Sequence, residues 1–249
     1  MTHRTAAETL ANDIAVLGND YGLAFYHCCQ ELWRVSSSWD RYEALFGSQE
    51  RVNLLNESGG SFWHAIQGVL LEHVLLGICR LSDTAGTGQR RNLSVWTLVE
   101  LDPLRYKGRL KQRAETASRR ASFARTWRDK RIAHNDLEQS TGVANKLVSA
   151  TGRKITKAIL SIHEVLRWIS AKHFGSDMGL LEMGDIDAIE LMTYIDDGLR
   201  YRALREAEYN SGTPISRYDN SYDWIRTGTN PSERYAFDFD LKLPKPRRR

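Results

Sequence analysis

A nine-residue stretch near the middle of the chain combines the residue types that phosphodiester chemistry needs. Residues 127–135 read WRDKRIAHN, with Arg128 six positions before His134 and Asp129 between them. A histidine titrates near neutral pH and can transfer a proton, whereas an arginine keeps its charge and can hold a phosphate with two hydrogen bonds. The stretch therefore suggests acid–base chemistry on a phosphate.

The spacing within this stretch constrains how the two side chains can meet. In a straight α-helix, residues six apart lie about 120° around the axis and roughly 9 Å along it. Arg128 and His134 then converge only if the helix bends, or if a second copy brings its own pair across a two-fold axis. We predict one of these two arrangements. Taken alone, the residues also fit a surface arginine and a hydrogen-bonded helix histidine.

The positive charge of the chain is concentrated around this stretch. Between Arg105 and His134 there are eleven Lys or Arg residues against two acids, Glu115 and Asp129, which gives the segment a net charge of +9. Because the whole chain carries +4, the remainder carries −5. Such asymmetry indicates a polyanionic partner, or a helix face that counterions neutralise.

Length and composition indicate a globular protein. With 249 residues and 41% hydrophobic content, the chain can form one large domain, or one domain with an appendage. The three cysteines form no CxxC pair, no zinc-ligand spacing and no even disulfide set, so we expect a reduced cytoplasmic protein. No ligand cluster or glycine-rich phosphate loop is present in the sequence, so we expect no metal and no cofactor.

We find no pattern that predicts targeting or membrane insertion. The first twenty residues lack the charged start and apolar core of a secretory signal. Residues 62–81 are long enough to span a bilayer, but they include Glu72, His73 and Arg80, which are costly in lipid. We therefore interpret this segment as a buried helix of a bundle surrounded by other helices, and expect no membrane partner.

Apolar residues that recur at intervals of three and four predict an all-α protein with long antiparallel helices. Helices are expected over residues 5–46, with a break near Gly18 or Gly22, and over 58–83, 95–99, 142–173 and 185–208. A further helix after Pro103 carries the basic segment, and its few apolar residues can bury only a thin stripe. The clearest amphipathic stripe in the chain comprises Ile155, Ala158, Ile159, Ile162, Val165, Leu166 and Ile169.

The C-terminal region differs in character from the helices. Residues 209–231 resemble a long loop, residues 235–243 alternate apolar and polar side chains as a strand does, and the end is a basic tail. We predict an extended arm that packs on the bundle or on a second subunit. The expected organisation is a bundle over residues 1–175, an additional helix over 176–208, and the loop, arm and tail over 209–249.

The stretch RDKRIAHND resembles the signature of the HEPN superfamily, in which an arginine, a polar residue and a later histidine lie on a late helix of an all-helical bundle. Three further segments, WDRYEALF at residues 39–46, GICRLSD at 77–83 and NLSVWTL at 92–98, resemble the AbiU-like abortive-infection branch. The resemblance covers roughly residues 25–170 and implies a HEPN-like helical bundle.

The resemblance implies metal-independent RNA cleavage by a homodimer with a composite site. His134 would act as general acid or base on a ribose 2′-hydroxyl or a leaving oxygen, Arg128 would stabilise charge on the phosphate, and Asp129 would orient one of them. The products would be a cyclic phosphate and a free 5′-hydroxyl. The residues expected to follow the RNA backbone are Arg119, Arg120, Arg125, Lys130 and Arg131.

Two functions remain open at this point. The first is an RNA endonuclease that acts as a toxin or antiphage effector, restrained by an antitoxin or a nucleotidyltransferase. The second is a catalytically inactive HEPN-like module that binds RNA, nucleotide or protein.

For neighbouring residues we favour structural roles: core packing for Trp127, although it could stack a base, and an ion pair between Arg80 and Asp83 that fixes a helix end.

Overall fold

The computed structural model describes residues 4–87, 90–103, 107–132, 149–180 and 185–212. These residues form an all-α protein, as predicted, with one short antiparallel ribbon between β1 (Gly86–Thr87) and β2 (Arg90–Arg91). The helices of the described residues are α1 (Ala6–Leu17), α2 (Asn19–Phe46), α3 (Gln49–Ser82), α4 (Val95–Leu101), α5 (Lys107–Arg120), α6 (Ser122–Trp127), α7 (Gly152–His173) and α8 (Ile186–Asn210). The chain divides into two compact units, residues 1–196 and 197–249.

Several predictions fall on other parts of the chain. His134, the expected strand over residues 235–243 and the basic tail all lie outside the described residues. The first two residues of the loop expected at 209–231 belong to α8, which continues to Asn210, and residues 213–231 lie outside the described residues. The division of the chain into a bundle, an added helix and an arm stays a prediction.

The predicted break in the first long helix occurs at Gly18. This residue has a φ of 86°, a left-handed backbone conformation that glycine adopts without strain. Gly22, the alternative position for the break, instead lies where α1 and α2 pack closely. A Cβ atom at Gly22 would lie 2.5 Å from the carbonyl oxygen of Asp13 and 2.6 Å from Cα of Ile14. The two glycines therefore allow the turn and the close approach of the two helices.

Helix α3 begins earlier and is more exposed than predicted. Ser48 caps its first turn through a hydrogen bond from the backbone N–H of Arg51, and the backbone at Gly59 is non-helical. Its buried residues are concentrated near its end, between Val74 and Ser82, whereas Phe62 and Val69 are 61% and 63% exposed. The prediction of a helix surrounded by others is therefore wrong for the middle of α3, because apolar composition alone does not show which neighbours cover a helix.

Helix α3 also has the length and composition of a helix that could cross a membrane, and 28% of its most apolar window is buried. No other helix of the described residues meets this criterion.

The main core lies between α2, α3, α4, α5 and α7. The predicted stripe of α7 is confirmed, since each of its seven residues is at most 2% exposed. Helix α5 contributes the thin stripe that its composition predicts, with fully buried Leu110, Ala114 and Ala117, followed by Ala121 just beyond its end. The basic side chains of α5 are thereby left on its other faces.

The remaining helices differ most from their predicted boundaries at the start of α7, whereas α4 and α8 each end two residues later than expected. Helix α7 was expected to begin at residue 142, but residues 149–151 are not helical, and Thr151 has an extended backbone with ψ of 149°. Helix α4 begins after Ser94, whose hydroxyl accepts a hydrogen bond from the N–H of Thr97, as expected of a cap residue. The first part of α8 closes a smaller core formed by Ala44, Leu45, Leu55, Ala188 and Met192.

Candidate functional site

The helix that carries the basic segment departs from α geometry at the start of the WRDKRIAHN stretch. Helix α5 ends at Arg120, α6 runs from Ser122 to Trp127, and residues Arg128–Ile132 then form a π-helical turn. A π turn contains one more residue than an α turn, and such turns are frequent at functional sites. An irregular turn is one of the two arrangements that the spacing of Arg128 and His134 predicts. Convergence of the two side chains stays a prediction, because His134 lies outside the described residues.

Arg128 is held by two carboxylates at this turn. Its Nη1 donates to Asp83 Oδ2 at 2.6 Å, and its Nε donates to Asp129 Oδ1 at 2.8 Å. The Arg128 and Asp83 side chains are 29% and 26% exposed, whereas that of Asp129 is 60% exposed. We call these three residues the Arg128 clamp. The clamp fixes the direction of the guanidinium at the surface of the bundle.

The surroundings of Arg128 stabilise its charge. The hydrogen bond to Asp129 raises the pKa of Arg128 above its ordinary value, partial burial opposes that rise, and the charge of Asp83 adds to it. Within the described contacts, the clamp uses two of the five N–H donors of the guanidinium. The other donors can bind a phosphate, because the planar guanidinium can form two parallel hydrogen bonds to phosphate oxygens.

Asp83 was interpreted from the sequence as the ion-pair partner of Arg80, and this was wrong. Asp83 follows the last residue of α3, where its own backbone N–H bonds to the carbonyl of Cys79, and its carboxylate turns to Arg128. Arg80 instead pairs with Glu31 of α2, with Nη2 2.7 Å from Oε1. The one feature of the sequence that could have suggested a site near Asp83 was its position in the RLSD segment, which carries part of the family resemblance.

The environment of Cys79, a buried cysteine near the clamp, disfavours the thiolate form. Cys79 is buried, and burial raises the pKa of its thiol to about 11, although the charge of Arg128 acts in the opposite direction. At neutral pH the group is therefore a thiol, which is much less reactive than a thiolate. Within the described ranges, no three His, Cys, Asp or Glu side chains form a group that could hold a metal ion.

Three of the predicted RNA-binding side chains are exposed, two of them in the same turn as Arg128. Arg119, Lys130 and Arg131 are all exposed. The guanidinium carbon of Arg131 lies 5.3 Å from the ring centroid of Trp127, a cation–π distance. Trp127 is partly buried and packs against the main core, which is the structural role that we favoured for it.

The other two predicted RNA-binding arginines contact the protein itself. Arg125 donates from Nη1 to Ser82 Oγ at 3.0 Å, and from Nη2 to the carbonyl of Ser118. Arg120 is exposed but donates from Nη1 to Ser161 Oγ of α7 at 3.1 Å. Arg125 therefore connects α5, α6 and the end of α3 beneath the clamp, and this contact gives it a structural role. Binding of RNA by any of the five residues stays a prediction.

The fold and the position of the arginine define the class of protein. An all-helical bundle with an arginine at an irregular turn of a late, basic helix fits the HEPN-like helical fold that the sequence resembles. A family model for AbiU2 proteins of the HEPN group matches residues 19–192, more than two thirds of the chain. The chain belongs to this family, and it is a HEPN-type abortive-infection module. Comparison with curated proteins and with solved structures gave no match.

Proposed function

We propose that the protein is a metal-independent RNA endonuclease of the HEPN type that acts in the cytoplasm as a toxin or antiphage effector. The observation that carries the proposal is the Arg128 clamp, in which Asp83 and Asp129 fix a half-buried guanidinium at the π turn. Membership of the AbiU2 family supports the same function.

The proposed reaction is attack by the substrate itself. The 2′-hydroxyl oxygen of one ribose bonds to the adjacent phosphorus and loses its proton to a base, while the bond to the 5′-oxygen of the next nucleotide breaks and that oxygen takes up a proton. His134 is the base or the acid of this transfer, since histidine exchanges protons near neutral pH. The products are a cyclic phosphate and a 5′-hydroxyl.

Arg128 and Asp129 have the complementary roles in this proposal. Negative charge grows on the non-bridging phosphate oxygens during the attack, and a fixed guanidinium stabilises it without reorganising at that moment. Asp129 accepts the Nε hydrogen bond and holds the fork in one orientation. Asp83 acts through Arg128 and is a positioning residue.

The exposed cations near the clamp would attract the RNA backbone. Arg119 is exposed on α5, and Lys130 and Arg131 are exposed in the π turn that contains Arg128. Contacts of lysine and arginine with phosphates are largely independent of base sequence, and salt weakens them. RNA binding should therefore be salt-sensitive and of low sequence preference at these positions.

A second copy of the chain would complete the site. Support comes from α3, where Phe62 and Val69 lie seven residues apart on one helix face and are more than half exposed. Apolar faces of this kind often mark protein interfaces. We propose that the active form is a homodimer, with an antitoxin or a nucleotidyltransferase as the partner that restrains it.

One observation favours the second candidate function, a HEPN-like module that binds RNA, nucleotide or protein without cleaving RNA. Two carboxylates already neutralise the charge of Arg128, as they do in ion pairs whose role is structural. This arrangement lowers the attraction of Arg128 for a phosphate unless the exposed Asp129 moves away.

Incubation of purified protein with single-stranded RNA in EDTA tests the proposal. Wild-type protein should cleave, and both His134→Ala and Arg128→Ala should remove cleavage while RNA binding persists. Arg153→Ala, which removes an exposed arginine at the start of α7, serves as the charge-matched control and should cleave normally. RNA binding without cleavage in every protein would support the second function. Unchanged cleavage in His134→Ala would contradict the proposed mechanism.

A further inference from the structure

A cleft of about 430 Å³ opens beside the Arg128 clamp. Its lining residues come from α2, from the end of α3 and from the segment before α4, and they are Glu31, Arg34, Arg80, Asp83, Asn92 and Leu93. Asp83 belongs both to this lining and to the clamp. The cleft and the proposed catalytic arginine are therefore separated by a single side chain.

A buried carboxylate organises one wall of the cleft. Glu31 is 8% exposed. Its Oε1 accepts from Arg80 Nε at 2.9 Å and lies 2.7 Å from Arg80 Nη2, while its Oε2 lies 3.1 Å from Arg34 Nη2. One carboxylate thus orients two arginines, one from α2 and one from α3. Such charge-assisted contacts restrict the guanidinium planes more than a neutral hydrogen bond would.

The two arginines have donors available beyond Glu31. The side chains of Arg34 and Arg80 are 60% and 55% exposed, although both are anchored at the same buried group. The pair between Glu31 of α2 and Arg80 of α3 is sufficient to link the two helices, so Arg34 is not needed for that link. Together with Glu31 they carry a net charge of +1, and the charge of Asp83 is paired with Arg128. The wall therefore presents two oriented guanidinium groups to an anion.

The segment before α4 forms the opposite side of the cleft. Asn92 donates from Nδ2 to the carbonyl of Thr84 at 2.9 Å, and its backbone N–H bonds to the carbonyl of Ala85 at 2.8 Å. These bonds fix the position of Asn92 and of Leu93 beside it. The volume of the cleft is within the range of small-ligand sites and is sufficient for one nucleotide.

We propose that this cleft binds a backbone phosphate of the RNA strand, in the nucleotide next to the bond that is cleaved. Arg34 and Arg80 hold the phosphate, Glu31 positions both arginines, and Asp83 separates this phosphate from the one at Arg128. The inference rests on the proposed function, because it assumes that RNA passes Arg128. It adds a binding subsite formed by α2 and α3, outside the basic segment of the sequence.

The test uses an RNA oligonucleotide with 2′-O-methyl riboses, which lacks the attacking hydroxyl and cannot be cleaved by the proposed reaction. Binding is measured by fluorescence anisotropy over a series of salt concentrations. Arg34→Ala should weaken binding about tenfold, the effect expected when one charge-assisted hydrogen bond to a phosphate is removed. The slope of log affinity against log salt should fall by about 0.7 for each phosphate of a single strand that the protein no longer neutralises. A helix link alone would leave this slope unchanged.

Arg34→Ala and a second variant, Arg80→Lys, together separate loss of binding from loss of folding or charge. Arg34→Ala leaves Arg80 on Glu31, so that the buried carboxylate keeps a partner, and Arg80→Lys keeps the charge but removes the fork. Both should bind more weakly than wild type while the circular dichroism spectrum is unchanged. Arg153→Ala is the control and should retain wild-type affinity and slope. Wild-type affinity and slope in folded Arg34→Ala and Arg80→Lys would overturn the proposal.

The experiments can show whether the subsite proposal and the nuclease proposal hold independently of each other. In one outcome the wild-type protein does not cleave RNA, but Arg34→Ala still binds the oligonucleotide more weakly and with a smaller salt slope. The subsite proposal is then supported and the nuclease proposal is contradicted. If His134→Ala removes cleavage while Arg34→Ala binds as wild type does, the nuclease stands and the subsite fails. Adenosine monophosphate is a second probe. Binding of this free nucleotide without binding of the oligonucleotide would overturn the assignment to an RNA strand.

Discussion

Asp83 is the residue whose position changes the description of the site most. It ends α3, lies 45 residues before Arg128 and forms the shorter of the two ion pairs in the clamp. A carboxylate at this point orients the guanidinium from the side opposite to the exposed Asp129. A catalytic group displaced by about 1 Å can lose about a hundredfold in rate, so a residue that only positions Arg128 still matters for activity.

We expect Asp83→Asn to reduce kcat for RNA cleavage by about tenfold or more, with a smaller change in KM, because the Arg128 fork keeps its own charge but loses the charged partner that positions it. Asp177→Asn provides a matched control, since Asp177 also pairs with an arginine, Arg167, but does so elsewhere on the surface. Steady-state kinetics with a fluorescent RNA substrate measure both constants. Equal kcat values for wild type and Asp83→Asn would exclude a positioning role.

The sequence predicted the residue types of the site but not all of its contacts. Arg128, Asp129 and the basic residues could be named from spacing, charge and family resemblance. The pairing of Asp83 could not be predicted, because a nearer partner at helical spacing, Arg80, satisfied the same charge. Glu31 gave no signal at all, since a lone acid in an amphipathic helix is usually solvated.

Among the helices, the turn between α1 and α2 shows how closely local sequence and packing are coupled. Gly18 provides the left-handed turn, and four residues later Gly22 allows the backbones to approach. Hydrophobic periodicity predicted both helices and most of the others, since each has a buried face. The same periodicity could not show that α3 is exposed in its middle or that α7 begins at Gly152. It identifies the apolar face of a helix, but not which other helices cover that face or where the helix begins.

Gly22→Ala should lower the free energy of unfolding by about 1–3 kcal/mol, because the added methyl group meets the backbone of α1, which cannot move aside as a side chain can. Gly108→Ala in α5 is the control. No atom of the described residues lies within 4 Å of a Cβ built there, so this change should be neutral or stabilise the protein by up to about 1 kcal/mol. Urea denaturation followed by circular dichroism compares the two. Equal stabilities for Gly22→Ala and wild type would contradict the close packing.

For the molecule as a whole, the active form is proposed to be a homodimer. In this proposal, the basic segment and the clamp of each copy supply one half of the site. The exposed face of α3 provides apolar surface that a second copy could cover, and burying such side chains favours association.

Val69→Glu should weaken assembly and reduce cleavage together, because a charge would then be buried in the proposed interface. Val16→Glu is the matched control, since Val16 of α1 is also exposed, at 46%, and lies outside α3. Light scattering after gel filtration gives the mass, and the RNA assay gives the activity. A dimer that persists in Val69→Glu would exclude this face as the interface, and a wild-type monomer with full activity would exclude the composite site.

The ion pair between Asp83 and Arg128 also closes a loop in the chain. It joins two positions 45 residues apart, and the ribbon, α4, α5 and α6 all lie within that loop. Closing a loop of this length restricts the freedom of everything inside it. Arg128, which we propose for phosphate chemistry, therefore also restrains this part of the chain through its bond to Asp83. A substrate that draws Arg128 away from Asp83 would break this bond and loosen the helices that carry the basic side chains.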